Sequence, residues 1–167
     1  MHKMTDITIR KSEPDDLEQI IAMEQACFPP EQAASAAALK ERLHAFGPFF
    51  IVAEKGGTLI GMINGMTTDE EDLRDEMYED TSLQDPDGKN IMIFGVDTLP
   101  ACQSQGVASQ IMRAFIRQAQ TCQKNSIVLT CLDRLIGFYE RFGFICEGQS
   151  ASLHGNVVWY QMRLNLK

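Results

Sequence analysis

Histidine clusters, paired cysteines and long apolar runs are all missing from this 167-residue chain, and each absence excludes a class of function. The three histidines, His2, His44 and His154, stand alone, with no HxxxH or mixed His/Cys group, so no metal site is expected. The five cysteines (Cys27, Cys102, Cys122, Cys131 and Cys146) are odd in number and show no CxxC spacing. Buried free thiols in a reducing cytoplasm are the expectation. No apolar run approaches the roughly 20 residues that span a bilayer. The opening "MHKMTDITIRKSEPDD" lacks the apolar segment of a secretory signal, so no membrane role is expected. Basic residues are outnumbered 15 to 23, a net charge of −8, which argues against nucleic acid as a partner.

What is present fits one globular domain, residues 1–167, which would bury roughly 70% of its unfolded surface. The charge is divided along the chain. Residues 1–89 hold 8 Lys/Arg and 19 Asp/Glu, a net of −11, while residues 90–167 hold 7 and 4, a net of +3. An anionic ligand should prefer the second half and a cationic one the first.

"DITIRKS" predicts a strand, with Ser12 as the cap of a helix over "EPDDLEQIIAMEQACF". Its apolar residues Leu17, Ile20, Ile21 and Met23 recur at helical spacing. "AASAAALKERLHAFG" predicts a second helix, and "PFFIVAEK", "GG" and "TLIGMINGMT" a hairpin with Gly56-Gly57 at its turn. The acidic stretch "DEEDLRDEMYEDTSLQDPDGKN" is either a solvated surface loop or a funnel or lid for a cationic substrate. "IMIFGVDTL" is apolar on both faces and should be a central strand. The helix after Gly106 places Ile111, Met112, Phe115 and Ala119 on one face, away from Arg113 and Arg117. "SIVLTCL" predicts a buried strand, "RLIGFYERFG" a short helix, and "FICEGQ" and "NVVWYQMRLNL" the closing strands. The order β-α-α-β-β-β-α-β-α-β-β indicates a mixed α/β domain with one βαβ crossover.

Nucleotide motifs fail when tested. "GGTLIGM" has glycines at P-loop spacing but Met62 where the lysine belongs, and no GxGxxG opens a helix. "PACQSQGVASQ" remains, between a central strand and a helix. The first turn of a helix carries unpaired N–H groups and a partial positive charge, and Gly106 permits close approach to them. A pyrophosphate can bind such amides without a cationic side chain.

"TLPACQSQGVASQIM" followed by "LTCLDRLIGFYERFGF" closely resembles the GNAT superfamily of acyl-CoA-dependent N-acyltransferases. Gln103, Gly106 and Ala108 meet its [Q/R]-x-x-G-x-[G/A] pattern. Phe138, Tyr139, Arg141, Gly143 and Phe144 meet its A-x-x-F-Y-x-[KR]-x-G-F segment, with Ile136-Gly137 in place of the usual small residues. Cys131, Asp133, Leu135 and Phe138 to Phe142 further resemble the arylalkylamine (serotonin-type) branch, as do Gln103, Gln105 and Gly106. The resemblance implies a mixed, mostly antiparallel sheet with a splayed central strand pair, flanked by helices.

It also implies a site. Acetyl-CoA would lie in the splayed wedge, its pantetheine arm against Val96 and Thr98 and its pyrophosphate on amides of Ser104, Gln105, Gly106, Val107, Ala108 and Ser109. Gln103 stands where close relatives carry arginine, so it would offer a hydrogen bond without a full charge. Tyr139 occupies the family position for protonating the thiolate, and a phenol of pKa near 10 suits a thiolate near 8.5. Phe28, Phe94, Thr130 and Trp159 would line the acceptor side, although Trp159 also fits as a core residue of the last strand. Phe49 and Phe50 could also pack against the amine.

The base is the open question. An alkylammonium of pKa near 10 is only about 0.1% neutral at pH 7, a handicap of roughly 4 kcal/mol. The arylalkylamine enzymes use two histidines on the central strand, where this chain has Met92 and Phe94. Asp97 is the nearest ionisable residue. Strict alternation places it on the face opposite Phe94 and Thr98, and only a strand bulge would change that. The acceptor is expected to be a small cationic or arylalkyl amine. A peptide or protein amine, and a non-catalytic acyl-CoA sensor, are the alternatives, and a homodimer stays open.

Overall fold

In the structure, a computed structural model, residues 6–152 and 154–167 are described; His2 lies outside them, as does the side chain of His154. The chain opens with β1 (Thr8–Lys11) and two helices, α1 (Leu17–Cys27) and α2 (Ala36–Ala45). The hairpin β2 (Phe50–Lys55) and β3 (Thr58–Thr68) follows, then a short helix α3 (Glu76–Glu79) inside the acidic stretch. β4 (Asn90–Thr98), α4 (Val107–Thr121) and β5 (Ser126–Cys131) form the crossover. α5 (Ile136–Glu140), β6 (Ile145–Gln149) and β7 (Tyr160–Asn165) complete it. The seven strands form one sheet in the order β1-β2-β3-β4-β5-β7-β6, and every pairing is antiparallel except β4 with β5.

Local chemistry explains most of these boundaries. Gly56 and Gly57 turn the β2–β3 hairpin at φ of 59° and 81°, angles that a side chain would make costly. Ser35 caps α2 by accepting a hydrogen bond from the Ala38 N–H. The expected cap at Ser12 is not made. Its N–H continues the sheet by donating to Phe50, and Glu13 with Asp16 forms the capping box instead. Asp16 also receives a two-pronged hydrogen bond from Arg10, at 2.8 and 2.9 Å, which pulls its carboxyl below the usual range and ties β1 to α1.

Both faces of the sheet are covered. α4 buries Ile111, Met112, Phe115 and Ala119 against β2–β5, while Arg113 and Arg117 stay exposed. On the other face Ile20 and Met23 of α1, and Leu39 of α2, pack on Met62, Met92 and Val128. Full burial of a side chain such as Phe115 contributes about 1.5–3 kcal/mol. Phe49 and Phe50 belong to these two cores, 3% and 0% exposed, and are not available to a ligand. Phe50 begins β2, two strands away from the β4–β5 gap, and Phe49 sits in the turn just before it.

The acidic stretch is anchored, not merely solvated. Leu73 and Met77 are buried, Tyr78 donates to or accepts from Thr130 Oγ1 at 3.2 Å, and Asp72 pairs with Arg163 of β7. Its remaining carboxylates include Glu70 and Glu76, both held by Arg74.

Two features of β4 position the site. First, β4 and β5 pair only through Asn90↔Ser126, Ile91↔Ile127 and Met92↔Val128, so the two strands part from Ile93 onward. Second, Ile93 pairs with Gly65 and Gly95 with Asn64, which leaves Phe94 as an extra residue opposite no partner on β3. That bulge resets the alternation. Asp97 therefore lies on the same face as Phe94, toward α1 and α2, and not on the opposite face as strict alternation requires.

Candidate active site

The gap between β4 and β5 opens into two cavities that meet. The larger, about 630 Å³, lies between the end of β4, the start of α4 and α5. Gly106, in the left-handed region at φ 79°, caps α4, and nothing lies within 4 Å of where its side chain would point. Ser104 shares a positive φ of 67°, and Ser104, Gly106, Val107, Ala108 and Ser109 of this turn and first helical turn line the cleft. No aspartate or glutamate lines this cavity, whereas Arg134 and Arg141 both do. The loop is uncharged, as the sequence indicates, but the cleft has two cations supplied from the segment around α5. Such a surface fits a pyrophosphate: amides and a helix N-terminus below, guanidinium groups across the gap.

The smaller cavity, about 320 Å³, continues toward α1 and α2. Aromatic side chains from five segments contribute: Phe28, Tyr78, Phe94, Tyr139 and Trp159. Phe94 packs against Tyr78 with ring centres 4.7 Å apart, and the Arg42 guanidinium lies 5.0 Å over its ring. Cys27, Phe28, Val96, Arg134, Leu135 and Tyr139 line both cavities, so the passage between them runs past these side chains.

Tyr139 sits at that junction because α5 is a single turn placed directly after β5. Burial, then the neighbouring Cys131 and Asp97, pushes its phenol above the ordinary value. It keeps its proton at neutral pH. Cys27 donates to the Thr98 carbonyl at 3.1 Å, and burial pushes its thiol up to about 12, so it is no nucleophile.

Behind Gly95 lies a buried polar cluster. Asp97 is 1% exposed, Glu24 5%, Arg42 3% and Asn64 0%. Arg42 donates to the Asn64 Oδ1 at 3.3 Å and to the Tyr78 carbonyl at 3.1 Å, and Glu24 accepts from the Ala34 N–H at 2.8 Å. With Glu24 and Asp97 both ionised, the two carboxylate oxygens of Asp97, Glu24 Oε1, Asn64 Nδ2 and Arg42 Nε have no protein partner. Burial first, then the charge and hydrogen bonding of Glu24, holds the Asp97 carboxyl well above the carboxylate range, against the pull of Arg42. Two ionised carboxylates would face each other as acceptors only; with a proton on Asp97, one can donate to the other.

Most sequence-predicted residues converge here. Val96, Thr98, Gln103, Ser104, Gly106, Val107, Ala108 and Ser109 line the larger cavity, and Phe94, Thr130 and Trp159 the smaller. Gln105 lines neither, and Asp97 stays behind the wall of both. The Gln103 amide donates back to the Thr98 carbonyl at 3.3 Å, bracing the turn. Sequence reasoning missed Glu24, Arg42, Tyr78, Gly95 and Arg134. For Arg134 the signal was present, one residue after Asp133 in the quoted motif; for the others it was not, because they come from α1, α2, the acidic stretch and the bulged part of β4. Among the described residues no group of His, Cys, Asp and Glu is arranged to hold a metal ion, and no helix is long and apolar enough to cross a membrane.

Comparison with known proteins agrees with this geometry. The GNAT-like decarboxylase GphF, solved with isobutyryl-CoA, superposes with a TM-score of 0.84 at 19% identity, covering 96% of this chain and 100% of that one. The putative acetyltransferase yncA of Salmonella typhimurium, solved with its cofactor acetyl-CoA, gives 0.71 at 16%, covering 98% and 95%. In sequence, serotonin N-acetyltransferase of Mesocricetus auratus is 26% identical over 113 residues, 66% of this chain and 53% of that protein. The match thus spans about half the length of that relative. The acetyltransferase (GNAT) family pattern matches residues 17–144, from α1 through the Tyr139 helix, and the chain belongs to that family.

Proposed function

We propose that the protein transfers an acetyl group from acetyl-CoA to a primary amine, a small cationic or arylalkyl amine. The observation that carries this reading is the junction: an acid-free cleft with helix amides and two arginines opens, at Tyr139 and Val96, into an aromatic cavity. Bound acetyl-CoA would supply an activated thioester at that junction. Amides from Ser104 to Ser109, with Arg134 and Arg141, would hold its phosphates. The edge of β4 beyond Met92, which β5 leaves unpaired, offers backbone groups for the pantetheine arm, as an added strand would use them. A backbone N–H near Val96 would stabilise the oxyanion. Tyr139 would protonate the departing sulfur; its raised pKa makes it a weaker acid, but the same dry site raises the basicity of the thiolate. Phe28, Phe94 and Trp159 would pack against the body of the amine. Five free cysteines fit a reducing, cytoplasmic setting.

A second reading, acyl-CoA binding without transfer, is favoured by one feature. Met92 is fully buried in the core and Phe94 is packed between Phe46, Tyr78 and Arg42, so no imidazole relay runs along β4. Thiol release from acetyl-CoA across a panel of tryptamine, spermidine and short peptides separates the two. Release with at least one amine is the expected result. Acetyl-CoA binding with no turnover on any of them would establish the second reading.

A further inference from the structure

The transfer proposed above lacks a group to take the proton of the acceptor ammonium. We propose that Glu24 and Asp97 share one proton and act together as that acceptor, with Glu24 facing the amine and Asp97 positioning and charging it from behind. The inference rests on the amine-transfer reading.

Three independent observations support it. Glu24 lines the acceptor cavity and also touches the Asp97 cluster, which makes it the carboxylate that joins the two. Gly95, on the same cavity wall, has no side chain; a Cβ there would lie 3.3 Å from Asp97 Oδ1, 3.9 Å from Glu24 Oε1 and 3.2 Å from Asn64 Nδ2. The space a side chain would fill is therefore ringed by the polar atoms of this cluster, and with both carboxylates ionised none of the three has a protein partner; a proton held between Glu24 and Asp97 supplies one. An unsatisfied buried polar atom costs about 1–3 kcal/mol, a cost that one proton held between the two carboxyls lowers and two ionised carboxylates would not.

The charges around the pair also balance. Glu24 and Asp97 face Arg42 from α2, the Cys27 thiol from α1 and the Tyr139 phenol from α5, with Glu79 of α3 acting on Arg42. Cys27 and Tyr139 are neutral near pH 7 because burial raises both. One proton on the pair leaves a single negative charge opposite one guanidinium. Two negative charges would exceed what Arg42 can offset in so dry a site, and none would leave no base.

The proton count closes. The ammonium gives one proton to the Glu24 carboxylate, through the space beside Gly95, and becomes a free amine. The amine nitrogen forms its bond to the thioester carbonyl carbon, and the carbon–sulfur bond breaks. Tyr139 gives its proton to the sulfur and recovers one from the new amide nitrogen. The proton held by the carboxyl pair then returns to solvent.

The test is the pH dependence of Glu24→Gln, which keeps an oxygen for the Ala34 N–H, measured beside the wild type with whichever amine turns over best. The expected loss in kcat/KM at pH 7 is on the order of 10²-fold. That deficit should shrink about tenfold per pH unit as pH rises toward the amine pKa, because the substrate then arrives neutral. Acetyl-CoA affinity should stay unchanged. A deficit constant with pH, or none, overturns the proposal. A ¹³C NMR titration of labelled aspartate in the wild type provides a check that needs no active variant, with Asp97→Asn identifying the resonance. One aspartate carboxyl should titrate far above the rest, and a normal titration of Asp97 overturns the pair. Failure of every amine in the wild type would instead sink the transfer reading, and the proton-acceptor role with it.

Discussion

The cluster buried beneath α4 holds Ile111, Phe115, Ile127 and their neighbours, while the buried charged residues Glu24, Arg42 and Asp97 lie on the other face of the sheet. Across the sheet, beneath α1 and α2, the apolar cluster surrounds Glu24, Arg42, Asn64 and Asp97, and beyond Arg42's two contacts, the Ala34 N–H on Glu24 and the link between the two carboxyls, their polar atoms go without protein hydrogen bonds. One sheet therefore has a face built for stability and a face that retains costly groups next to a cavity. Buried polar atoms without partners concentrate where chemistry needs them, and the apolar face offsets the cost.

Three substitutions would break or sharpen that contrast. Phe115→Ala on the apolar face should cost about 3–5 kcal/mol in urea unfolding, with turnover per folded molecule unchanged. A much smaller cost would mean that the α4 face does not carry the fold. Tyr139→Phe, at the junction, should lower kcat on the order of 10²-fold while acetyl-CoA affinity moves by less than about threefold. Equal losses in both would reduce Tyr139 to a contact residue. Asp97→Asn should have the smallest effect, and in the opposite direction. Because the folded-state pKa of Asp97 is raised, its stabilisation is complete below the unfolded value near 3.9 and is lost as pH rises toward the folded value. The asparagine has no such loss, so the variant should be more stable than the wild type at pH 7.5 and show no advantage below about pH 4. No difference between the two pH values would show that Asp97 is an ordinary carboxylate.

The C-terminal half of the site was legible because its signals are contiguous. The turn at Gly106, the α4 stripe and the "GFYERFGF" segment each lie within a few residues, and local spacing reports local structure. The hairpin at Gly56-Gly57 was readable for the same reason. Asp97 was not, because its face depends on one unpaired residue at Phe94, and a bulge leaves no mark in a pattern of alternating residues. Tyr78 and Met77 were hidden among carboxylates that suggested solvent, yet Met77 is buried and Tyr78 half-buried against the same cluster. Ser12 had the chemistry of a cap but was claimed by strand pairing with Phe50. Glu24 looked like the polar face of an amphipathic helix, and only the fold shows that α1 turns that residue toward Asp97.

The sheet order has a consequence for how the molecule comes into being. β7, which follows the other six strands of the sheet in the chain, is inserted between β5 and β6, pairing with both. Until a ribosome has released residues 160–165, β5 has one open edge and β6 has no neighbour in the sheet. The strand that carries Thr130 and leads to Tyr139 is thus held on one side only while the chain grows. A nascent chain can pair β2 with β3 and lay α1, α2 and α4 against the sheet before then, but its ligand cleft gains a fixed wall only once residues 160–165 are available to pair.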